Sequence, residues 1–253
     1  MKKDPIIKLP SYNPPGIIYG FVTKNLQGSS FSYDPHRKGS ASNFENNRAL
    51  VLNALGLPEH RLSILNQVHG NEAINIQEVR IIGEEIAADG QVTTNKNVIL
   101  AIKTADCVPV LFHDVKSGVI GACHAGWKGA FSGIIESTIN KMLSSGAKLD
   151  QIESIIGPCI QQDSYEVDNI FYQKFLDQDG TNNYFFKPAK RADHYMFDLP
   201  AYVAKRLLKS GINVIYNSNL DTLSDEERFF SYRLSTLRGE PLGGSILSVI
   251  GLE

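Results

Sequence analysis

Three apolar runs rich in branched side chains, Val98 to Thr104, Val108 to His113 and Gly118 to His124, follow one another with only short turns between them. Strands joined so tightly pair antiparallel, because a parallel crossover needs a dozen or more residues. Similar runs occur at Ile17 to Val22, Leu62 to Val68, Ile152 to Gly157, Asn213 to Tyr216 and Ser245 to Ile250. Helical patterns separate several of them, so the chain reads as an α/β layer fold with a mixed sheet rather than a plain doubly wound parallel one.

Three helices are expected. Asn47 to Leu55 stops at Gly56 with Pro58 beyond, an ordinary exit signal. Gly129 to Ser145 carries Ile134, Ile135, Ile139, Met142 and Leu143 on one face before Gly146, and Leu199 to Lys209 turns Val203 and Leu207 inward before Gly211. The polar, Gly- or Asn-containing segments 23–46 and 178–197 read as loops. No repeat or shift of composition divides the chain, and 253 residues with 42% hydrophobic content suffice for one sizeable core, so residues 1–253 read as a single domain.

A formal net charge of −2 lacks the basic excess that phosphate backbones require, which argues against nucleic acid as a partner. Asp4, Pro5, Lys8 and Pro10 break the opening residues, so no signal peptide is expected. Even Val98 to Phe112 is interrupted by Lys103, Asp106 and Pro109, which excludes a membrane span there. The expected location is cytoplasmic. Three scattered cysteines, an odd number, suit a reducing compartment in which a thiolate is kept for metal binding or catalysis.

His69, Cys107 and His124 each stand at the downstream end of a separate apolar run. Strands packed side by side would bring such ends to one sheet edge. Two imidazoles and a thiolate suit Zn²⁺, and a fourth position left to water is the pattern of a catalytic site, although a histidine taken singly is more often a core or surface group. The stretch Cys123-His124-Ala125-Gly126-Trp127-Lys128-Gly129-Ala130 leaves a strand, turns on glycines and enters a helix. Its backbone N–H groups could receive an anion beside Lys128, or the glycines serve only the turn while Trp127 plugs the core. Asp106, beside Cys107, either orients a ligand or holds a turn, and Asp89 carries the same ambiguity. Arg228 to Arg233, with Arg48, Tyr165 and Glu166, could line a pocket, an edge strand with solvated arginines being the commoner arrangement.

Six motifs occur in one order: Asn66-Gln67-Val68-His69-Gly70, Ala88-Asp89-Gly90, Thr104-Ala105-Asp106-Cys107-Val108-Pro109-Val110, His124-Ala125-Gly126-Trp127-Lys128-Gly129, Ile156-Gly157-Pro158 with Tyr165-Glu166-Val167, and Phe229-Phe230-Ser231-Tyr232-Arg233. From about Asn47 to the C-terminus the chain therefore resembles the YfiH family, bacterial relatives of the human laccase-domain protein FAMIN, once described as multicopper polyphenol oxidases. The resemblance implies a three-layer α/β/α sandwich similar to the catalytic domain of cytotoxic necrotising factor toxins. It implies zinc on His69, Cys107 and His124, with Cys107, His124, Asp106 and Asp89 as catalytic candidates and Arg48, Lys128, Trp127, Tyr165 and Arg233 as substrate-binding ones. It further implies phosphorolysis of adenosine, inosine, guanosine and methylthioadenosine, plus deamination of adenosine.

Residues 1–46 depart from the family pattern. Relatives usually show Thr-Thr-Arg, Gly-Gly-Val-Ser and Ser-Leu-Asn, whereas this chain has Thr23-Lys24-Asn25-Leu26-Gln27-Gly28 and later Ser42-Asn43-Phe44. Arg48 matches; Lys128 stands where relatives often carry Arg, keeping the charge without the two-pronged fork. Asp221 stands near a position where relatives often carry Cys or a small polar residue.

The expected activity is a zinc-dependent purine nucleoside phosphorylase, with phosphate gripped by the metal edge and by Arg48 or Lys128. In the accompanying deamination, zinc-activated water attacks the purine while Asp106 or Asp89 carries protons. Three readings compete. A copper-dependent polyphenol oxidase is disfavoured by six histidines with no His-X-His pair, though the ligands would accept Cu²⁺. Cys107 activated by His124 would instead make an amidase acting on peptidoglycan precursors. A metal that only staples the fold would make the chain a non-catalytic module.

Overall fold

The structure, a computed structural model, describes residues 4–10, 12–26, 41–79 and 86–253, with backbone only for 41–45. In chain order the elements are β1 (Ile6–Ile7), β2 (Ile17–Val22), α1 (Ala41–Ala54), β3 (Arg61–Ile64), β4 (Ala73–Asn75), β5 (Gly90–Thr93) and β6 (Val98–Thr104). Then come β7 (Val108–Asp114), β8 (Val119–Ala125), α2 (Trp127–Ser132), α3 (Ile134–Ser144), β9 (Glu153–Ile156), β10 (Glu166–Asp168) and α4 (Asn169–Gln178). The chain finishes with β11 (Phe186–Pro188), β12 (His194–Phe197), α5 (Leu199–Lys209), β13 (Val214–Asn217), α6 (Tyr232–Arg238) and β14 (Ile246–Leu252).

Every residue of β7 and β8 is buried. A strand can be apolar throughout only when both faces of its sheet are covered, and this determines the layering. β7 and β8 lie at the centre of a six-stranded sheet, β13-β9-β7-β8-β5-β4. A five-stranded sheet, β1-β2-β14-β6-β3, stacks against it, and β10-β12-β11 form a separate small sheet. Tyr19, Phe21, Leu100, Ile102 and Ile250 of the five-stranded sheet meet Leu111, Ile120, Ala122 and Ile155 of the six-stranded one in a shared core. Buried Gln91 crosses the same interface, accepting from the Ser63 hydroxyl (2.8 Å) and donating to the Ala101 carbonyl (2.8 Å), so its polar atoms cost little.

The outer faces carry helices. Val51 and Leu52 of α1 cover Leu62, Ile99 and Val249. Ile135, Ile139 and Met142 of α3, Val203 and Leu207 of α5 and the aromatic group of Phe175, Phe197 and Tyr202 cover Val110, Phe112 and Cys123. The α/β class and its mixed sheet are those the sequence implied: β3 runs parallel to β6 and β13 to β9, while β7, β8 and β5 pair antiparallel. The β layer between the helices is two sheets thick, and β6, expected to pair with β7 across their short turn, instead lies between β14 and β3 in the other sheet. Among the described residues no helix is long and apolar enough to cross a membrane.

Several local expectations are corrected. The helix expected over Gly129 to Ser145 is two helices, because Gly133 adopts φ 102°, a conformation that glycine tolerates and residues with Cβ rarely adopt, and its N–H closes on the Gly129 carbonyl. The segment 178–197, expected as loop, contains β11 and β12, since Phe186 and Phe197 reach the aromatic core. In the segment 23–46, also expected as loop, α1 begins at Ala41, while residues 27–40 lie outside the described residues. The strand from Leu62 ends at Ile64, and Arg228 to Arg233 is not an edge strand: Ser231 caps α6 by accepting from Leu234 N–H (3.1 Å). Helix α4, missed in the sequence, is capped by Asp168, whose side chain accepts from Phe171 N–H (2.8 Å).

Candidate metal centre

β7 and β8 are antiparallel, with Pro109 opposite His124. This register places Cys107, at the mouth of the β6–β7 turn, beside the end of β8. His69 arrives differently. The chain leaving β3 in the five-stranded sheet crosses to β4 in the six-stranded one, and His69 sits on this crossing. The nitrogen and sulfur ligand atoms of His69, Cys107 and His124 all lie within 4.8 Å of one another. Cys107 Sγ is 3.9 Å from His69 Nε2, and the two imidazoles stand edge to face with centroids 4.7 Å apart. The exposures are graded, with His124 buried, Cys107 half-buried and His69 exposed, so the cluster opens to solvent on one side.

Asp89 holds the cluster in shape. It is fully buried, its Oδ1 accepts from His69 N–H (3.0 Å) and His124 Nδ1 (2.8 Å), and its Oδ2 accepts from Gly70 N–H (2.7 Å) and Val68 N–H (3.2 Å). Its own carbonyl accepts from His124 N–H (2.7 Å). These bonds fix His69 at φ 60°, a left-handed conformation that costs roughly 1–2 kcal/mol in a residue bearing Cβ. They also commit His124 Nδ1, leaving Nε2 for the cluster, the arrangement in which a carboxylate orients a metal-binding imidazole.

Burial pushes the Asp89 carboxyl up, but His124 and the converging N–H groups outweigh it and the pKa falls below the usual value. Burial raises the Cys107 thiol, and the charge and hydrogen bonding of His124 with help from His69 override it, to about 6. Burial lowers His124, while Cys107 and Asp89 raise it to about 9. A thiolate facing imidazoles with one imidazole nitrogen anchored is a donor set for a borderline-soft cation. Space fits as well: Gly126 caps α2 against the cluster, and a Cβ there would come within 2.9 Å of Cys107 Sγ and 3.1 Å of His69 Cδ2.

Asp106 precedes Cys107 at φ 94° and is buried. Thr222 Oγ1 donates to its Oδ1 (2.7 Å), and Ser231 Oγ (2.9 Å) and Arg233 N–H (2.7 Å) donate to its Oδ2. Burial raises its pKa against these bonds. The Arg233 guanidinium lies 5.1 Å from the Tyr165 ring centroid and donates to the Glu166 carbonyl (2.9 Å). Tyr165 is close enough to the cluster that the Cys107 charge, after burial, raises its pKa.

Of the sequence candidates, the structure brings His69, Cys107, His124 and Asp89 together, with Asp106, Tyr165 and Arg233 alongside. Trp127 packs edge-on against Phe171 (5.0 Å), and Lys128 and Lys174 approach its ring at 5.7 and 5.3 Å. Arg48 donates to the Leu62 carbonyl of β3. Sequence reasoning named Gly126 only as a turn glycine and Ser231 only within a motif, and it did not name Thr222. Ser231 has a detectable signal, a cap residue before a short helical pattern; Thr222 has none.

The double mixed sheet and this cluster define an α/β protein with a candidate His-Cys-His metal site. Residues 20–253 match the family described as multi-copper polyphenol oxidoreductase laccase, and the chain belongs to that family, the YfiH family. The match begins upstream of Asn47 and takes in the second half of β2. A Rickettsia conorii protein named purine nucleoside phosphorylase is 40% identical over 242 residues, covering 94% of this chain and 99% of its own. A Haemophilus influenzae protein of the same name is 31% identical over 237 residues, covering 91% and 94%. Among solved structures, the Bacillus licheniformis protein YfiH superposes with a TM-score of 0.83 at 28% identity, covering 94% of this chain and 93% of its own. A Neisseria meningitidis protein gives 0.83 at 26% identity, with 98% of each chain covered.

Proposed function

We propose that the chain is a zinc-dependent purine nucleoside phosphorylase that also deaminates adenosine. The observation that carries this reading is the meeting of His69, Cys107 and His124 around one point, locked by Asp89. Near end-to-end relatives bearing the phosphorylase name support it.

Cys107, His69 Nε2 and His124 Nε2 would hold the ion. When bound, zinc supplies a Lewis acid that stabilises negative charge developing in the transition state and lowers the pKa of water. In phosphorolysis a phosphate oxygen forms the bond to the anomeric carbon as the bond to the purine nitrogen breaks, and that nitrogen gains the proton that hydrogen phosphate gives up, giving the pentose 1-phosphate and free base. The work of the chain is placement. Tyr165 offers an aromatic wall for the base, and Arg233 and Lys128 bring positive charge toward the anion. Asp89, its oxygens committed to four protein donors, holds His124 and His69 rather than moving protons. In deamination water replaces the purine amino group, so adenosine yields inosine and ammonia.

The test is a panel of adenosine, inosine, guanosine and methylthioadenosine, with and without phosphate, on protein of measured metal content, read by separation of products. Free base with ribose 1-phosphate, or with methylthioribose 1-phosphate from methylthioadenosine, should form only with phosphate, and inosine should form from adenosine without it. Absence of product from every nucleoside at one zinc per chain overturns the proposal. Turnover confined to copper-loaded protein acting on phenols would place the chain with the oxidases instead.

A further inference from the structure

We propose that Asp106 is a positioning residue whose carboxylate lashes the substrate-facing flank, the start of α6 with Arg233 and the loop bearing Tyr165, to the turn that carries Cys107. Its kinetic consequences rest on the phosphorylase reading above; its structural ones do not.

Its two carboxylate oxygens receive three donors, from residues 116 to 127 positions away in sequence: the Thr222 hydroxyl, the Ser231 hydroxyl and Arg233 N–H. The Asp106 carbonyl accepts from Ile160 N–H (2.9 Å), at the head of the segment leading to Tyr165. Arg233 closes the loop, with its guanidinium over the Tyr165 ring and one nitrogen on the Glu166 carbonyl. The segments that form the wall beside the cluster are thus indexed to the residue bonded to Cys107.

The backbone agrees. At φ 94° Asp106 occupies a region that residues with Cβ rarely adopt, and such outliers persist where the surroundings over-determine them. Glycine would relieve the strain and lose all three side-chain bonds. A carboxylate 8% exposed with both oxygens occupied is poorly disposed to exchange protons with substrate, but well disposed to fix distances.

Thr222→Val tests this most cleanly, because it removes one donor and leaves the carboxylate in place; Asp106→Asn removes the charge and part of the accepting capacity. In zinc-loaded protein, Thr222→Val should raise KM for nucleoside about tenfold with kcat changed less than about threefold, and Asp106→Asn should raise KM further. Zinc content should stay at one per chain in both. Amides of residues 160–166 and 232–238 should exchange hydrogen faster in both variants than in the parent. A fall in kcat at unchanged KM in Asp106→Asn, with Thr222→Val behaving as the parent, would make Asp106 a proton carrier and overturn the proposal. Unchanged exchange in Thr222→Val would overturn it whether or not any nucleoside is turned over, so its failure is distinguishable from that of the phosphorylase reading.

Discussion

Gly126→Ala separates the metal cradle from the rest of the fold. Gly126 has φ −63° and ψ 163°, values that alanine adopts freely, so the substitution adds one methyl group without backbone strain. That methyl would lie 2.9 Å from Cys107 Sγ and 3.1 Å from His69 Cδ2. Ordinary contact between heavy atoms is about 3.5–4.0 Å, so each ligand must retreat by roughly 0.5–1 Å. Metal–ligand distances tolerate only about 0.2 Å, and the retreat therefore falls on coordination. Zinc affinity should drop by about 10- to 100-fold, or roughly 1.4–2.8 kcal/mol. The metal-free chain should lose about 1–3 kcal/mol from overpacking if the ligands cannot move, and less if exposed His69 swings outward.

The assay is competition for zinc against a chromophoric chelator, with thermal melts of metal-free and zinc-loaded protein. The rise in melting temperature on adding zinc should shrink, since stabilisation by a bound ligand follows its affinity. Gly180→Ala is the control, because a Cβ at that exposed position meets nothing within 4 Å. Gly126→Ala with parental zinc affinity would refute the reasoning, because the ion would then not sit where the three ligand atoms converge.

Asp89→Asn keeps the shape but removes the charge and half the accepting capacity beneath His69 and His124; metal-free stability should fall by about 2–4 kcal/mol in urea titrations and zinc affinity by about 10- to 100-fold. A loss under about 0.5 kcal/mol would show that the four bonds to Asp89 do not hold the loop. At the far end of β7, Tyr12 donates to Glu153 (2.8 Å) and so accepts from His113 Nε2–H (2.6 Å), fixing a neutral tautomer whose Nδ1 has no partner among the described residues. Burial lowers the His113 pKa despite Glu153 and Asp114. Below about pH 6.5 the unfolded chain takes up a proton that the folded chain refuses, so stability falls as pH drops, by up to about 1.4 kcal/mol per unit until the folded pKa is passed. His113→Gln should remove that component of the slope in denaturation series between pH 7 and 5, and an unchanged slope would place the titration elsewhere.

The central strands were legible because β6, β7 and β8 are covered on both sides and appear as largely apolar runs, and the short turn between β7 and β8 disclosed their antiparallel pairing; the equally short turn after β6 misled, since it carries the chain from one sheet to the other. Which sheet each strand joins was not legible. Periodicity reports that a face is apolar, not what covers it, so the stacking of Tyr19 and Phe21 on Leu111 and Ile155 is a long-range fact. The break at Gly133 was hidden because Ile134, Ile135 and Ile139 continue the helical phase across it, and α4 because Ile170, 81% exposed, blurs the spacing of Phe171 and Phe175. Cys107 was read as the end of the Val98 run, but it meets His124 because it immediately precedes β7, whose Pro109 pairs with His124 of β8. His69 reaches the site from the other sheet through a left-handed turn held by a carboxylate twenty residues away, and no spacing encodes that.

The difference has a consequence for how the site can fail. Cys107 and His124 are fixed by a ladder that the whole six-stranded sheet maintains, whereas the conformation of His69 depends on the few hydrogen bonds of Asp89. Loss of those bonds should release His69 first, leaving a two-ligand remnant on an intact sheet, so damage at the Asp89 junction should lower zinc affinity before it unfolds the protein.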